Sequence, residues 1–200
     1  MQSDTDVRVA SVADVSWDDV RTVFGTRGDP STCWCQYFKL PNAEWQAAER
    51  EGRCSGMLQQ QVLENDPAPG VIAYLGDAPG GWCAVEPRPK YPRLRRAKVV
   101  TQGSRQDPDD ASVWAVTCFV VRVGFRKRGI GGALLRGAVE QARALGARVI
   151  EGYPVDTAVR VGAPSAELYH GTVSLFEKAG FEVVSRPTNV RAVVELVLRG

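Results

Sequence analysis

The sequence contains a single histidine, His170, among its 200 residues. Of its five cysteines, only Cys33 and Cys35 lie close together, and the other three are scattered singly. A zinc site usually needs a Cys-x₂₋₄-Cys pair and a matching second pair of ligands. The chain offers neither, so we expect no metal site.

Long apolar runs are also missing. No stretch approaches the roughly 20 apolar residues that a membrane-spanning helix needs. The first 15 residues include acidic side chains and lack the apolar core of a secretion signal. We therefore expect no membrane partner and a cytoplasmic location, where the five thiols would be reduced.

The net charge of +2 is too small to require a nucleic acid partner. Six basic residues without an acidic one do stand together in 88–98. A solvated face is the default interpretation, and attraction of a phosphate group or an acidic acceptor is the alternative. Only Tyr91 could stack on a base, so nucleic acid binding ranks behind both.

The most informative stretch is 113–144. An apolar segment, 113–121, runs into a turn rich in glycine and arginine, and an amphipathic helix follows at once. The first amides of a helix have no partner inside it, and the helix dipole adds positive charge there. Glycines let a phosphate approach such amides closely. The pattern therefore predicts a phosphate-binding loop.

Arg126-Lys127-Arg128-Gly129-Ile130-Gly131 matches the Gln/Arg-x-x-Gly-x-Gly/Ala signature of the GNAT superfamily of acyl-CoA-dependent N-acetyltransferases. The segment 175–181 resembles that family's Leu-Tyr-Glu-Lys-Leu-Gly-Phe motif. Neither a Rossmann fingerprint nor a Walker loop is present. The resemblance implies an α/β (α+β) fold with a mixed, mostly antiparallel sheet, a central splayed parallel strand pair and flanking helices. It also implies one domain over 1–200, in which a helical, aromatic arm at 13–65 covers the acceptor site.

The same resemblance implies direct transfer of an acetyl group from acetyl-CoA to an amine acceptor, which the sequence does not name. The backbone of the central strand and the loop would bind the co-substrate, and Phe176 would pack on pantetheine. The residues are Phe119, Val120, Val121, Arg126, Lys127, Arg128, Gly129, Ile130, Gly131, Gly132 and Phe176. Many relatives use a tyrosine acid where this chain has Phe176. A catalytically silent acyl-CoA-binding module is therefore the alternative function, and a homodimer is compatible with either.

Three residues are candidates for proton transfer. Tyr169 could replace the missing acid, or simply pack on the co-substrate. Glu151, at the end of the strand 148–152, is the first candidate for the base, and Glu86 the second. Water alone is a further option, and a salt bridge to an arginine is the structural alternative for each glutamate. His170 lies in a segment that the pattern does not place. A covalent route through Cys118 would need it as a base.

The periodicity predicts the remaining elements. Trp34, Tyr37 and Phe38 either line an acceptor pocket or pack in the core, and Cys33 and Cys35 would share one side of a strand. The polar segment 101–112 should be a mobile surface loop. Predicted strands are 7–12, 71–75, 81–86, 148–152, 181–185 and 192–198, and predicted helices are 16–24, 42–63, 130–145 and 172–179.

Overall fold

The computed structural model describes residues 7–198, which form one seven-stranded sheet in the order β1-β2-β3-β4-β5-β7-β6. The strands are β1 Val7–Ser11, β2 Gly70–Leu75, β3 Ala78–Pro87, β4 Val113–Val121, β5 Val149–Gly152, β6 Glu182–Ser185 and β7 Val193–Val197. Among the strands of residues 7–198, only β4 and β5 pair in parallel. The predicted fold class, with its single parallel strand pair, is confirmed.

Helices cover both faces of this sheet. They are α1 Trp17–Phe24, α2 Pro30–Cys33, α3 Asn42–Arg50, α4 Cys54–Glu64, α5 Pro92–Arg95, α6 Lys98–Thr101, α7 Ile130–Ala144, α8 Ser165–Leu168 and α9 Val173–Lys178. The long helix α7 lies on one face, against β1 to β4. The small helices α1 to α6 lie on the other face, over two further apolar clusters. No helix in residues 7–198 has the length and apolar character needed to cross a bilayer.

The local signals for helix ends are largely realised. Ser16 caps α1, because its hydroxyl accepts a hydrogen bond from the amide of Asp19 at 3.1 Å. The stripe of α7 from Ile130 to Ala142 is buried against the sheet. Leu145, the last residue of the predicted helix 130–145, is exposed because the helix ends at Ala144.

Two predicted elements are wrong. The helix predicted over 42–63 is two helices, α3 and α4, which Gly52 separates with a φ of +67°. The segment 32–38 is not a strand, because Trp34 and Cys35 adopt left-handed φ values of 46° and 56°. The Trp34 ring holds this geometry: it stacks on Phe24 at 4.5 Å, and its indole N–H donates to a carbonyl of α2 at 2.8 Å.

The segment 101–112 is also more structured than a surface loop. It continues from α6, and the carbonyls of Gln106 and Asp107 accept hydrogen bonds from the buried guanidinium of Arg88. The buried cation therefore fixes the backbone of this polar segment.

The parallel pair opens halfway along β4. Val113 to Val116 pair with β5, but β5 ends at Gly152 and β4 runs on to Val121. On the other side of β4, the register with β3 shifts so that Thr117 has no direct partner. The second half of β4 thus has one free edge, and the site lies there.

Candidate active site

Two spaces flank the second half of β4. The first, here called the loop groove, has a volume of about 350 Å³ and is lined by Phe119, Val121, Arg126, Gly131, Leu168, Tyr169, Gly171, Thr172 and Leu175. The second, here called the aromatic cavity, has a volume of about 420 Å³ and is lined by Phe24, Asp29, Pro30, Cys33, Cys35, Tyr37, Phe38, Trp45, Glu49, Thr117, Cys118, Val120, Ala166, Glu167, Tyr169, His170 and Arg191. Of the residues that the structure describes, only Tyr169 belongs to both linings. The end of β4 therefore forms a wall between two spaces that meet at Tyr169.

The loop groove ends at the N-terminus of α7. Gly129 takes a left-handed φ of 78° immediately before the helix, which turns the chain into its first turn. Within the described part of the chain, the amides of 130–132 donate no hydrogen bond. Arg126, Lys127 and Arg128 are exposed and form no ion pair with described residues. Free amides and free cations thus converge at one end of the groove.

A backbone contact fixes Tyr169 against β4. The amide of Phe119 donates to the carbonyl of Tyr169 at 2.6 Å. This amide is therefore engaged within the protein, whereas the family resemblance implied that the backbone of Phe119 would bind the co-substrate. The phenol of Tyr169 has a raised pKa, chiefly because of burial and then because of the nearby Asp29. It is a protonated group at the boundary between the two spaces.

His170 is the site residue that sequence reasoning failed to place. Its Nδ1 lies 2.9 Å from the carbonyl oxygen of Thr117, and a carbonyl only accepts, so Nδ1 carries the proton. Nε2 therefore keeps its lone pair, and it has no hydrogen-bond partner among the described residues. Burial, followed by the charge of Arg191, lowers the pKa of His170 to about 4. The imidazole is neutral at physiological pH.

The aromatic cavity has a braced wall. Tyr37 packs edge-on against Phe38 at 5.0 Å and against Trp45 at 5.1 Å. The guanidinium of Arg93 lies 3.7 Å from the centre of the Tyr37 ring and also donates to Asn42 at 3.1 Å. Arg93 belongs to the basic run 88–98, so this run is not simply a solvated face.

Glu151 does not line either space. It is fully buried, 2.7 Å from Arg88, and accepts hydrogen bonds from Ser104 at 2.6 Å and Tyr153 at 2.8 Å. All of these groups lie on the side of the sheet opposite α7. The sequence ranked Glu151 first as the base, and its position corrects that ranking, since every partner it has is a structural one.

Glu86 is enclosed in the same way. It is fully buried, pairs with Lys39 and accepts from Asn65 at 3.3 Å. It contributes to neither lining. The salt bridge to an arginine that was the structural alternative is present for Glu151, whereas the partner of Glu86 is a lysine.

Phe176 also lies outside the groove. It is fully buried and packs edge-on against Phe119 at 6.0 Å and Phe181 at 5.0 Å. A Cβ on Gly152 or Gly171 would come within 3.0 Å of its ring, so two glycines make room for it. The neighbouring Leu175 lines the groove instead. The expectation that Phe176 packs on a co-substrate is therefore corrected.

Three thiols line the aromatic cavity. Burial raises the pKa of Cys33 to about 12, and Cys35 has a raised pKa because of its hydrogen bond with Cys118 and its burial. Within residues 7–198, no cluster of three or more His, Cys, Asp or Glu could hold a metal ion. Cys33 and Cys35 are thus protonated packing groups in this structure.

A family model confirms the resemblance seen in the sequence. The model described as "Acetyltransferase (GNAT) family" matches residues 10–181, which is most of the chain. The protein belongs to the GNAT acetyltransferase family. Membership supports acyl transfer in general, and acetyl-CoA is the family's co-substrate. None of the curated proteins compared with the chain matches it.

Solved structures share the fold over nearly the whole chain. A GNAT-family protein from Desulfovibrio desulfuricans is 17% identical, with 96% of this chain and 99% of that chain covered and a TM-score of 0.53. PaiA N-acetyltransferase from Thermoplasma acidophilum, solved in complex with coenzyme A, is 12% identical, with 96% and 99% covered and a TM-score of 0.54. An N-acetyltransferase from Staphylococcus aureus Mu50 is 12% identical, with 97% and 99% covered and the same TM-score. At these identities the likeness shows the fold alone.

Proposed function

We propose that this protein is an acetyl-CoA-dependent N-acetyltransferase whose acceptor is a small amine with an apolar body. The observation that carries the proposal is the pair of spaces on opposite sides of β4, which meet at Tyr169. A two-substrate transfer needs two binding spaces that share one reacting point. The products would be an N-acetylated amine and free coenzyme A.

The residues of the loop groove fit acetyl-CoA. The unpaired amides of 130–132 and the free cations Arg126, Lys127 and Arg128 suit a pyrophosphate. The apolar side chains of Val121 and Leu175 suit the pantetheine arm. When bound, acetyl-CoA supplies the acetyl group as an activated thioester.

The acceptor is assigned to the aromatic cavity. An amine with a pKa of about 10.4 arrives protonated and must lose a proton before it can react. Within this cavity, His170 offers a neutral imidazole whose Nε2 lone pair is free. We assign His170 the role of general base in place of Glu151 and Glu86. A base of such low pKa holds the proton only briefly and passes it to water.

Tyr169 is assigned the role of acid. Its phenol is protonated, and it alone lines both spaces. The demand on this acid is small, because a thiol has a pKa of about 8.5 and its thiolate leaves without much help. The lack of a hydroxyl at Phe176 is therefore compatible with activity.

The silent acyl-CoA-binding module remains the second candidate, because the phenylalanine at 176 lacks the family's usual acid. The two functions differ in turnover. Purified protein should release free thiol from acetyl-CoA when amines are added and should yield the acetylated amine by mass spectrometry. Binding of acetyl-CoA without any acetylated product across a broad amine panel would favour the silent module.

A variant of Gly131 tests the assignment of the loop groove. The nearest side chain to an added Cβ there is Leu175, at 3.9 Å across the groove, so Gly131→Val should fold and yet fill the space. Calorimetry should show at least a roughly tenfold loss of acetyl-CoA affinity. Gly124→Val is the matched control, because a Cβ at 124 meets nothing within 4 Å. Equal affinity of both variants for acetyl-CoA would show that acetyl-CoA does not bind in this groove.

A further inference from the structure

Arg191 is a partly buried cation that differs from the two more deeply buried cations described above. The buried Arg88 pairs with Glu151, and the nearly buried Lys39 pairs with Glu86. Arg191 lies in the connection between β6 and β7 and lines the aromatic cavity, but it forms no ion pair with any residue that the structure describes. A charge that is partly withdrawn from water is usually paired, because even partial desolvation of an ion is costly. The missing partner of Arg191 therefore calls for an explanation.

The hydrogen bonds of Arg191 leave most of its donors free. Nη1 donates to the carbonyl of Tyr153 at 3.1 Å, and no other bond of this side chain to a described residue is found. A guanidinium carries five N–H donors in a planar fork. Glu167 lines the same cavity, but it pairs with Arg160 at 3.3 Å and lies more than 4.0 Å from Arg191. One bond to a backbone carbonyl anchors the group, and the nearby Glu167 favours its charge without forming an ion pair with it.

The neighbours of Arg191 define what could bind to it. His170, the proposed base, is close enough for the charge of Arg191 to lower its pKa. Burial lowers the pKa of Arg191, and the charges of Glu167 and then of Tyr37, on the aromatic wall, act in the opposite direction. A cation, a base and an aromatic wall thus surround one space. An acceptor whose anionic group and amine lie close together would meet the first two at once.

We infer that the acceptor is an amino acid with an apolar or aromatic side chain, whose carboxylate is bound by Arg191. The inference rests on the proposed acetyl transfer and specifies its substrate class. The planar fork of arginine matches a carboxylate in a two-bond arrangement. The amine, attached to the same carbon as the carboxylate, then lies on the His170 side. The side chain packs against Tyr37, Phe38 and Trp45.

The experiment compares amines with and without the carboxylate. Wild-type protein is assayed with phenylalanine and phenethylamine, and with leucine and 3-methylbutylamine, at saturating acetyl-CoA. The wild type should prefer the amino acid of each pair by about 10- to 100-fold in kcat/KM, the range expected for a hydrogen bond between charged groups. In Arg191→Gln this preference should vanish through a raised KM for the amino acid. The rate with the decarboxylated amine should fall much less than the rate with the amino acid, since it reports only on the change at His170.

Two further variants separate this role from a structural one. Arg191→Lys keeps the charge and loses the fork, so it should fall between wild type and Arg191→Gln. Arg186→Gln removes a cation from the same connection, where Arg186 is exposed and pairs with Asp156, and it should behave as wild type. A wild type that favours the decarboxylated amine would overturn the inference. So would an Arg191→Gln variant that lowers the rates with both members of a pair equally.

Binding of the product distinguishes failure of the inference from failure of the proposed function. Calorimetry with N-acetylphenylalanine should show saturable binding to wild type and a loss of about 10- to 100-fold in affinity in Arg191→Gln. If no amine is acetylated but this difference in binding is present, the transfer is refuted and the carboxylate site stands. If amines without a carboxylate are acetylated and N-acetylphenylalanine does not bind, the transfer stands and the amino acid site is refuted.

Discussion

Single hydrogen bonds decide the chemistry of the side chains at the end of β4. The carbonyl of Thr117 fixes the tautomer of His170, and burial beside Arg191 keeps the ring neutral. Two residues further along the strand, the carbonyl of Tyr169 accepts a hydrogen bond from the amide of Phe119. Because of the register shift, Thr117 has no direct partner on β3. Its carbonyl accepts a hydrogen bond from the imidazole instead.

Stability as a function of pH tests the environment of His170. The folded pKa of about 4 lies below the unfolded value of 6.5, so the unfolded chain binds the proton between these pH values. Stability must therefore fall as the pH drops through this window. From pH 7.5 to pH 5.0 the wild type should lose about 2 kcal/mol more in free energy of unfolding than His170→Asn, as measured with urea.

The same variant tests the catalytic assignment. Asparagine can still donate to the Thr117 carbonyl, but it offers no basic nitrogen. If His170 is the base, kcat should fall by about 10²- to 10⁴-fold while acetyl-CoA affinity is kept. An unchanged kcat would show that His170 is not the base and that water alone accepts the proton. If wild type and His170→Asn lose the same free energy of unfolding between pH 7.5 and pH 5.0, the His170 ring is less buried than in the structure.

Among the structural elements, the segment from α8 to α9 has two roles: it lines the site and it completes the core. Tyr169 faces both spaces, whereas Phe176, one turn into α9, is fully buried between Phe119 and Phe181. The backbone bond from Phe119 joins the start of this segment to β4. The segment therefore carries a reactive phenol on one side and completes the core on the other.

Variants of these two residues should separate the two roles. Tyr169→Phe keeps the ring and the backbone contact and removes only the hydroxyl, so kcat should fall on the order of 10²-fold with stability unchanged. Phe176→Leu should instead cost on the order of 1 to 3 kcal/mol of stability, because it leaves a gap in the core. Its kcat at saturating acetyl-CoA should stay close to that of wild type. Equal, small losses of kcat in both variants would leave the enzyme without a side-chain acid.

The sequence predicted correctly those elements whose structure depends on residues close by in the chain. The loop 126–132 and the helix α7 follow from glycine spacing and a periodic apolar stripe, and both are present. The roles of Glu151 and His170 depend on partners 63 and 53 residues away, which no local pattern reveals. The left-handed turn at Trp34 was missed for a similar reason, since a stack on Phe24 holds it.

At the scale of the whole molecule, the two faces of the sheet are built differently. The face under α7 is an apolar core. The opposite face contains two buried ion pairs, Lys39–Glu86 and Arg88–Glu151, which join peripheral segments to the central strands. Such pairs contribute little net stability compared with apolar packing, but breaking one leaves a buried charge uncompensated. The polar face thus depends on complete pairing.

The variant Glu151→Gln tests this view and the rejected catalytic role together. It leaves the buried guanidinium of Arg88 without its counter-ion, so the free energy of unfolding should fall by about 3 to 5 kcal/mol. Glu140→Gln is the matched control, because Glu140 is exposed and pairs with Arg143 on the surface of α7, where the loss should stay below about 1 kcal/mol. Urea unfolding of the two variants measures both values.

The pH profile of kcat/KM completes the argument. The folded fraction of Glu151→Gln should keep the wild-type profile, because the carboxylate faces Arg88, Ser104 and Tyr153 and lines neither space. A variant as stable as the Glu140→Gln control, with its acidic limb gone, would return Glu151 to the role of base. Such a result would also mean that the polar face opens during turnover, since nothing else could bring this carboxylate to an amine in the aromatic cavity.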